Sequence, residues 1–216
     1  ISLNDRAVEI VVDASQSMWG QINGQSKMEI AKTTLEELTY WLPDDLDLAL
    51  RAYGNTSPSD QKNCADSSLL VPFREGTREY VRQAIAGLRP TGQTPIAYAL
   101  NQAANDFGSL QSDRTMVLVS DGIESCGGDP VTAAYALRQQ GIVVHLIGFG
   151  LGSSADQDAA SLQAIANASG GRYVTAGSAE ELKAALAETV ATAFSVYRDN
   201  VEVASGSLGS AGVMLM

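Results

Sequence analysis

Histidine and cysteine are scarce in this sequence. Its 216 residues include one histidine, His145, and two cysteines, Cys64 and Cys126. An acyl-transfer triad needs a histidine base, and His145 lies inside an apolar segment, which is typical of a packed core residue. The two cysteines match no spacing of a zinc site or a dithiol redox motif. The composition therefore argues against acyl-transfer, zinc and dithiol redox chemistry.

Positive charge and long apolar segments are also lacking. The 14 Lys and Arg residues are outnumbered by 25 Asp and Glu residues, so the formal net charge is −11 at pH 7. A surface of this charge repels nucleic-acid phosphates and anionic lipids, but it attracts cations. No apolar run approaches the roughly 20 residues that span a bilayer. We therefore expect neither nucleic-acid binding nor direct insertion into a membrane.

The sequence does contain an alternation of apolar strands and amphipathic helices. Residues 7–12, 114–120 and 142–148 are apolar runs typical of strands that are buried on both faces. Helices of about 10–15 residues are predicted between such strands, and two of them follow capping boxes at Ser26-x-x-Glu29 and Ser178-x-x-Glu181. This order predicts a doubly wound α/β fold with a mainly parallel sheet and helices on both faces.

Further segments predict one edge of the sheet and the limits of the domain. Asp47–Tyr53 and Ser68–Phe73 form a predicted hairpin with a long polar tip, which places an antiparallel strand at one sheet edge. We assign residues 1–193 to a single domain. Residues 194–216 are predicted to be a β-rich tail, either the start of a further module or an added edge strand.

Three polar segments are predicted at the same edge of this sheet. Asp13, Ser15 and Ser17 follow the first buried strand. Thr94 lies in a loop, and Asp121 directly follows a second buried strand. The carboxyl ends of parallel strands share one sheet edge, so these five oxygen-bearing side chains can converge there. Two carboxylates balance a divalent cation, and five oxygen ligands leave one of the six Mg²⁺ positions for a carboxylate from outside.

Each of these residues also has a purely structural interpretation. Asp13 can end a strand, with Ser15 and Ser17 forming hydroxyl–backbone turns. Thr94 is a good helix N-cap, and Asp121 followed by Gly is a common tight turn. A single motif would therefore not indicate a site. Their occurrence together, each at the end of a strand, favours a cation site.

The motifs Asp-x-Ser-x-Ser at 13–17, Thr-Gly-x-Thr-Pro at 91–95 and Ser-Asp-Gly at 120–122 resemble those of the von Willebrand factor A (VWA) domain. They correspond to its metal ion-dependent adhesion site (MIDAS), and all five ligand positions are occupied as the family pattern expects. The order of strands and helices from about 5 to 193 is similar as well, and residues 124–130 resemble bacterial members.

The resemblance implies a Rossmann-like sheet of six strands with one antiparallel edge strand. It also implies binding of Mg²⁺, with Mn²⁺ or Ca²⁺ as alternatives, and recognition of an Asp or Glu carboxylate on a partner protein. We expect the partner to contact a rim of Trp19, Gly20, Gln93 and Glu124, although Trp19 can equally be a turn residue that covers the core edge.

In such a fold Cys64 and Cys126 fall in loops on the metal side, so a disulfide between them is predicted, with free thiols as the alternative. The bond would close a long loop and stabilise the fold by about 4 kcal/mol in the chain-entropy estimate. Disulfides persist in oxidising compartments, and we therefore expect a secreted, periplasmic or cell-surface protein.

Two other functions fit parts of the pattern. A Rossmann-like phosphohydrolase would use Asp13 as nucleophile and Asp121 on Mg²⁺. Ser15 stands where such enzymes carry their second acid, and only Lys27 or Arg89 could be proposed to bind the phosphate. A cation could also serve only to hold the loops together. We expect a recognition domain that is not an enzyme.

Overall fold

The computed structural model of the chain describes residues 6–42, 46–74, 76–108, 110, 112–151, 155–192, 196–198 and 201–204. The main sheet contains β1 (Arg6–Asp13), β2 (Asp47–Tyr53), β3 (Ser67–Val71), β4 (Asp113–Ser120), β5 (Ile142–Phe149) and β6 (Tyr173–Ala176). The α-helices are α1 (Lys27–Trp41), α2 (Arg78–Gly87), α3 (Ile96–Asp106), α4 (Pro130–Gln139), α5 (Ala155–Ser169) and α6 (Ala179–Thr192).

The six-stranded sheet has the order β3-β2-β1-β4-β5-β6. β3 pairs antiparallel with β2, and all other neighbouring strands of this sheet pair in parallel. The predicted doubly wound α/β fold with one antiparallel edge strand is therefore confirmed. The chain leaves β1 toward β2 on one side and returns to β4 on the other. The loops after β1 and β4 thus flank the point where open α/β sheets bind ligands.

Apolar layers cover both faces of the sheet. As a result, all residues of β1 except the first are buried. Successive strand residues point to opposite faces, so β1 contributes to both layers. One layer joins Ile10 to residues of α1, α2 and α6, such as Leu35, Ile85 and Leu186. The other joins Val11 to residues of α3, α4 and α5. This double burial explains why the strand is an almost unbroken apolar run.

The start of α1 is fixed by local sequence. The hydroxyl of Ser26 accepts a hydrogen bond from the Glu29 N–H, and the Ser26 N–H donates to the Glu29 carboxylate, both at 3.1 Å. This is the predicted capping box. A small hairpin that was not predicted comes directly before it, with Asn23 and Gly24 at φ 51° and 85° in its turn. The hairpin and the cap together bring the first residue of α1 to the carboxyl edge of the sheet.

His145 is the packed core residue that the sequence predicted. It lies in β5, only 9% exposed, and its Nδ1 accepts a hydrogen bond from the Arg172 N–H at 3.1 Å. Burial, followed by the charge of Arg172, lowers the pKa of His145. The side chain is therefore a neutral hydrogen-bond acceptor inside the fold.

Part of the predicted tail is described. Val196–Arg198 and Val201–Ala204 pair antiparallel with each other in a separate two-stranded sheet. Other residues of the tail, including 205–216, lie outside the described residues, and the boundary at 193 stays a prediction. In the described ranges, the helices are too short or too polar to cross a membrane.

Candidate metal centre

Asp13 occupies the end of β1 and is completely buried. Its Oδ1 accepts a hydrogen bond from the Ser15 N–H at 2.8 Å. Its Oδ2 accepts one from the Tyr53 hydroxyl at 2.8 Å and one from the Ser120 hydroxyl at 2.6 Å. Donors from β2, β4 and the loop after β1 therefore fix the orientation of this carboxylate.

Asp121 lies across from Asp13 and is joined to the same loop through hydroxyls. The hydroxyl oxygens of Ser15 and Ser17 are 2.9 Å apart, and the Ser17 hydroxyl donates to Asp121 Oδ1 at 2.6 Å. Burial, and then the negative charge of Asp121, raise the pKa of Asp13 to about 6. Two buried carboxylates that repel each other make this place favourable for positive charge.

Thr94 is carried to the same edge by the loop before α3. In that loop Gly92 forms a parallel bridge with Ser15. Gly92 also packs closely against Gly54, since a Cβ on Gly92 would lie 2.8 Å from the Gly54 Cα. Thr94 is 8% exposed, and its N–H donates to the Ser125 hydroxyl at 2.9 Å. The N-cap residue of α3 is Pro95, so the N-cap alternative considered for Thr94 is not found.

Two of the predicted rim residues bind the loops of the site to one another. The Glu124 carboxylate accepts the Ala97 N–H at the start of α3 and the Cys126 N–H, both at 2.8 Å. The Gln93 side chain donates to the Ser59 carbonyl at 2.7 Å. Both side chains thus hold neighbouring loops of the site together by hydrogen bonds to backbone groups, a role that the sequence did not indicate.

Trp19 is the predicted rim residue that presents most apolar surface. It is 56% exposed, and its indole N–H donates to the Pro90 carbonyl at 2.8 Å. Ile123, just after Asp121 and 40% exposed, adds an apolar group that the sequence interpretation missed. Gly20 follows Trp19, and a Cβ there would lie 3.0 Å from the Ser17 carbonyl oxygen. The rim therefore combines an anchored aromatic ring with a glycine whose backbone lies close to the Ser17 carbonyl.

A disulfide joins Cys64 to Cys126, as predicted from the expected positions of their loops. The two residues are 62 positions apart, and the bond connects the loop before β3 to the segment after Asp121. In the chain-entropy model a closed loop of this length stabilises the fold by about 4 kcal/mol. The bond also fixes the segment whose Glu124 and Ser125 hold the loop of Thr94.

Lys27 is the main component of the site that the sequence interpretation did not assign to it. Its Nζ donates to Asp121 Oδ2 at 2.8 Å. The sequence alone offered Lys27 only as a phosphate ligand. The signal that points to its position is the capping box, because a helix that follows β1 must begin at this sheet edge. The roles of Tyr53 and Ser120 have no comparable signal, since they depend on strand register.

The donor set suits a hard cation. Within the described ranges, no three His, Cys, Asp or Glu side chains are grouped so as to hold a metal ion. The candidate site instead combines two carboxylates with the hydroxyls of Ser15 and Ser17, and the loop that carries Thr94 is bridged to Ser15 at the same sheet edge. Oxygen ligands of this kind are those of Mg²⁺, Ca²⁺ and Mn²⁺. The residues present therefore fit a hard divalent ion.

The sequence model of the von Willebrand factor type A domain matches residues 8–188. The chain belongs to this family. The uncharacterized protein YwmD of Bacillus subtilis (strain 168) is 30% identical to this VWA domain over 189 residues, which cover 84% of this chain and 83% of YwmD.

Two solved structures have the same fold as this VWA domain. The conserved hypothetical protein BatB from Bacteroides thetaiotaomicron is 21% identical, with a TM-score of 0.69 over 87% of this chain and 98% of BatB. Proximal thread matrix protein 1 from the mussel byssus, with a zinc-occupied MIDAS motif, is 20% identical, with a TM-score of 0.65 over 87% of this chain and 45% of that protein. VWA domains are protein-interaction modules that commonly bind a divalent metal at this motif.

Proposed function

We propose that this VWA domain is a metal-dependent recognition module. A divalent cation is bound by Asp13, Ser15, Ser17, Thr94 and Asp121, and it coordinates an Asp or Glu side chain of a partner protein. Mg²⁺ is the favoured ion, with Mn²⁺ or Ca²⁺ as alternatives. In this function the domain binds a partner and does not catalyse a reaction.

The observation that carries the proposal is the pair of buried carboxylates, Asp13 and Asp121, at the carboxyl ends of β1 and β4. The Ser15 N–H donates to Asp13, and the Ser17 hydroxyl lies within hydrogen-bond distance of the Ser15 hydroxyl and donates to Asp121. Burying two like charges is costly, and the Lys27 ammonium balances one of the two. A chain selected for stability alone would not need to keep them there. Hydroxyl ligands are neutral, so a divalent ion keeps enough positive charge to attract an anion from a partner.

Calorimetric titration with MgCl₂ and MnCl₂ tests the cation site. We expect saturable binding to the parent protein and, for D121N, a loss of affinity of at least about tenfold. D60N is the matched control, because Asp60 is an exposed acid in the loop between β2 and β3. Equal affinity of D121N and the parent, or no binding by the folded parent, would contradict the site.

Selection from a phage-displayed peptide library tests the ligand class. Phage that bind the parent protein in Mg²⁺ and are released by EDTA should be enriched in peptides with an essential Asp or Glu, and D121N should enrich none. Turnover of p-nitrophenyl phosphate by the parent protein, lost in D121N, would favour the phosphohydrolase instead. A fall in melting temperature with EDTA, without peptide selection, would leave only a structural cation.

We further propose an extracytoplasmic location. The Cys64–Cys126 disulfide supports it, because such bonds form and persist outside the reducing cytosol. The net charge of −11 also favours capture of cations from an ion-rich exterior.

A further inference from the structure

The ammonium group of Lys27 lies inside the candidate metal centre. Its Nζ is 2.8 Å from Asp121 Oδ2, and the side chains of Lys27 and Asp121 are 13% and 0% exposed. Lys27 is the first residue of α1, where the helix dipole disfavours a positive charge. Neither burial nor helix position favours an ammonium here, so the nearby carboxylate must offset both.

The Lys27 side chain runs between two glycines that lie against its methylene groups. A Cβ on Gly20 would lie 3.2 Å from the Lys27 Cε, and a Cβ on Gly150 would lie 3.1 Å from the same atom. The Lys27 N–H also donates to the Gly20 carbonyl at 2.8 Å. The two glycines leave a channel for one unbranched chain, and this channel directs the ammonium to Asp121.

The charges around this ammonium are mostly negative. Asp121 accepts a hydrogen bond from Ser17 through one carboxylate oxygen and from Lys27 through the other. The negative charge of Asp121 also acts on the carboxylate of Asp13. A carboxylate that the divalent ion would use is therefore already paired with a cation of the protein itself.

We propose that Lys27 is the counter-cation of the metal site: it stabilises the fold when no divalent ion is bound and lowers the affinity for that ion. This inference rests on the proposed metal-dependent function. A divalent ion together with Lys27, Asp13 and Asp121 leaves one surplus positive charge. A carboxylate of a partner neutralises that charge, so the site favours the ion and an acidic partner together over the ion alone.

The affinity for Mg²⁺ tests the competition. K27M keeps the length of the side chain and removes its charge, and we expect it to bind Mg²⁺ about tenfold more tightly than the parent in calorimetry. The matched control is K62M, which removes an exposed charge from the loop between β2 and β3 and should leave the affinity unchanged. If the role of Lys27 is purely structural, K27M should bind Mg²⁺ more weakly than the parent, because Asp121 would then be disordered.

The stabilising role is tested without any metal. In EDTA, K27M and D121N should each lower the midpoint of urea unfolding, and K27M/D121N should lower it by clearly less than the sum of the two. Additive effects would show that Lys27 and Asp121 do not act as a pair. If K27M does not fold in EDTA, the double variant still tests the pair. Replacing Asp121 removes the carboxylate that K27M leaves without its ammonium, so K27M/D121N should fold where K27M does not.

The outcomes separate this inference from the proposed function. If the parent binds Mg²⁺ and K27M binds it equally or more weakly, the role of Lys27 is wrong and the metal site stands. Binding by K27M but not by the parent would support the competition by Lys27 and contradict the proposed metal-dependent function, because the native lysine would then exclude the ion. If neither folded protein binds Mg²⁺ or Mn²⁺, both proposals are wrong.

Discussion

At the scale of single residues, β1 also contains a buried acid away from the metal centre. Glu9 of β1 is fully buried, and its Oε1 lies 3.5 Å from the Nε of Arg51. That guanidinium is already bound by Asp106, with its Nη2 2.6 Å from the Asp106 carboxylate. Burial, followed by the neighbouring Asp106, raises the pKa of Glu9 well above its usual range. Glu9 therefore keeps its proton in the folded protein at pH values where the unfolded chain has lost it.

This raised pKa gives a stability cost that depends on pH. Below the usual carboxyl pKa, Glu9 is protonated in both states, and no cost arises. As the pH rises further, the unfolded chain ionises first, so the free energy of unfolding falls until the folded pKa is reached. We expect E9Q to raise the free energy of unfolding by on the order of 1 kcal/mol at pH 7.5 and by much less at pH 4.

Urea unfolding at both pH values measures the effect of E9Q. E36Q serves as control because Glu36 is exposed on α1, and its stability should follow the parent at each pH. An equal gain for E9Q at pH 4 and pH 7.5 would contradict the pH argument, since it would point to packing and not to ionisation.

At the scale of elements, the candidate metal centre depends on three loops that pack backbone to backbone. Gly54, after β2, has φ 67°, and a Cβ there would lie 2.6 Å from the Gln93 carbonyl oxygen. A Cβ on Gly92 would lie 2.9 Å from the Ser57 carbonyl oxygen. Backbone atoms cannot move aside as the end of a flexible side chain can. The loops of Ser15 and Thr94 therefore stay together only while these positions are glycine.

We expect Gly92→Ala to separate these loops. The added methyl group should lower the free energy of unfolding in EDTA by roughly 1–3 kcal/mol and weaken Mg²⁺ binding in the same protein. Gly87→Ala is the matched control, because a Cβ on Gly87 at the end of α2 meets no atom within 4 Å. Unchanged Mg²⁺ affinity in Gly92→Ala would show that the loop contact does not position the ligands.

At the scale of the whole molecule, the Cys64–Cys126 bond is the covalent link between two loops that are distant in sequence. It limits the freedom of the unfolded chain, and it braces the segment that supports Thr94. We expect C64S/C126S to lower the free energy of unfolding by about 2–4 kcal/mol. Dithiothreitol should destabilise the parent by a similar amount and should have no effect on the double variant. A parent insensitive to reduction after full thiol release would contradict this role.

Much of the architecture could be predicted from the sequence because it depends on local patterns. The apolar runs that end at Asp13 and Ser120 predicted two strands buried on both faces, and the capping box predicted the start of α1. The edge strand was predicted at Ser68–Phe73 but is Ser67–Val71 in the structure. Pro72 has no N–H to donate to the strand ladder, which explains the earlier end.

The parts that could not be predicted depend on how far side chains reach across the fold. The five candidate ligands could be predicted because they lie in sequence motifs with a recognisable spacing. The pairing of Lys27 with Asp121, however, depends on two glycines that are distant in sequence. Glu124 was predicted as a rim residue, and the sequence did not indicate that its carboxylate accepts two backbone N–H groups. Such contacts arise from tertiary geometry and leave no periodic signal.

The exposed indole of Trp19 provides an intrinsic optical reporter for this domain. The chain has two tryptophans, and the other, Trp41, lies at the far end of α1. In a W41F protein all indole emission would come from the ring that is hydrogen-bonded to Pro90 beside Ser17. Loading of the centre by an ion and docking of a peptide could then be followed in solution, without attaching a dye to the recognition face.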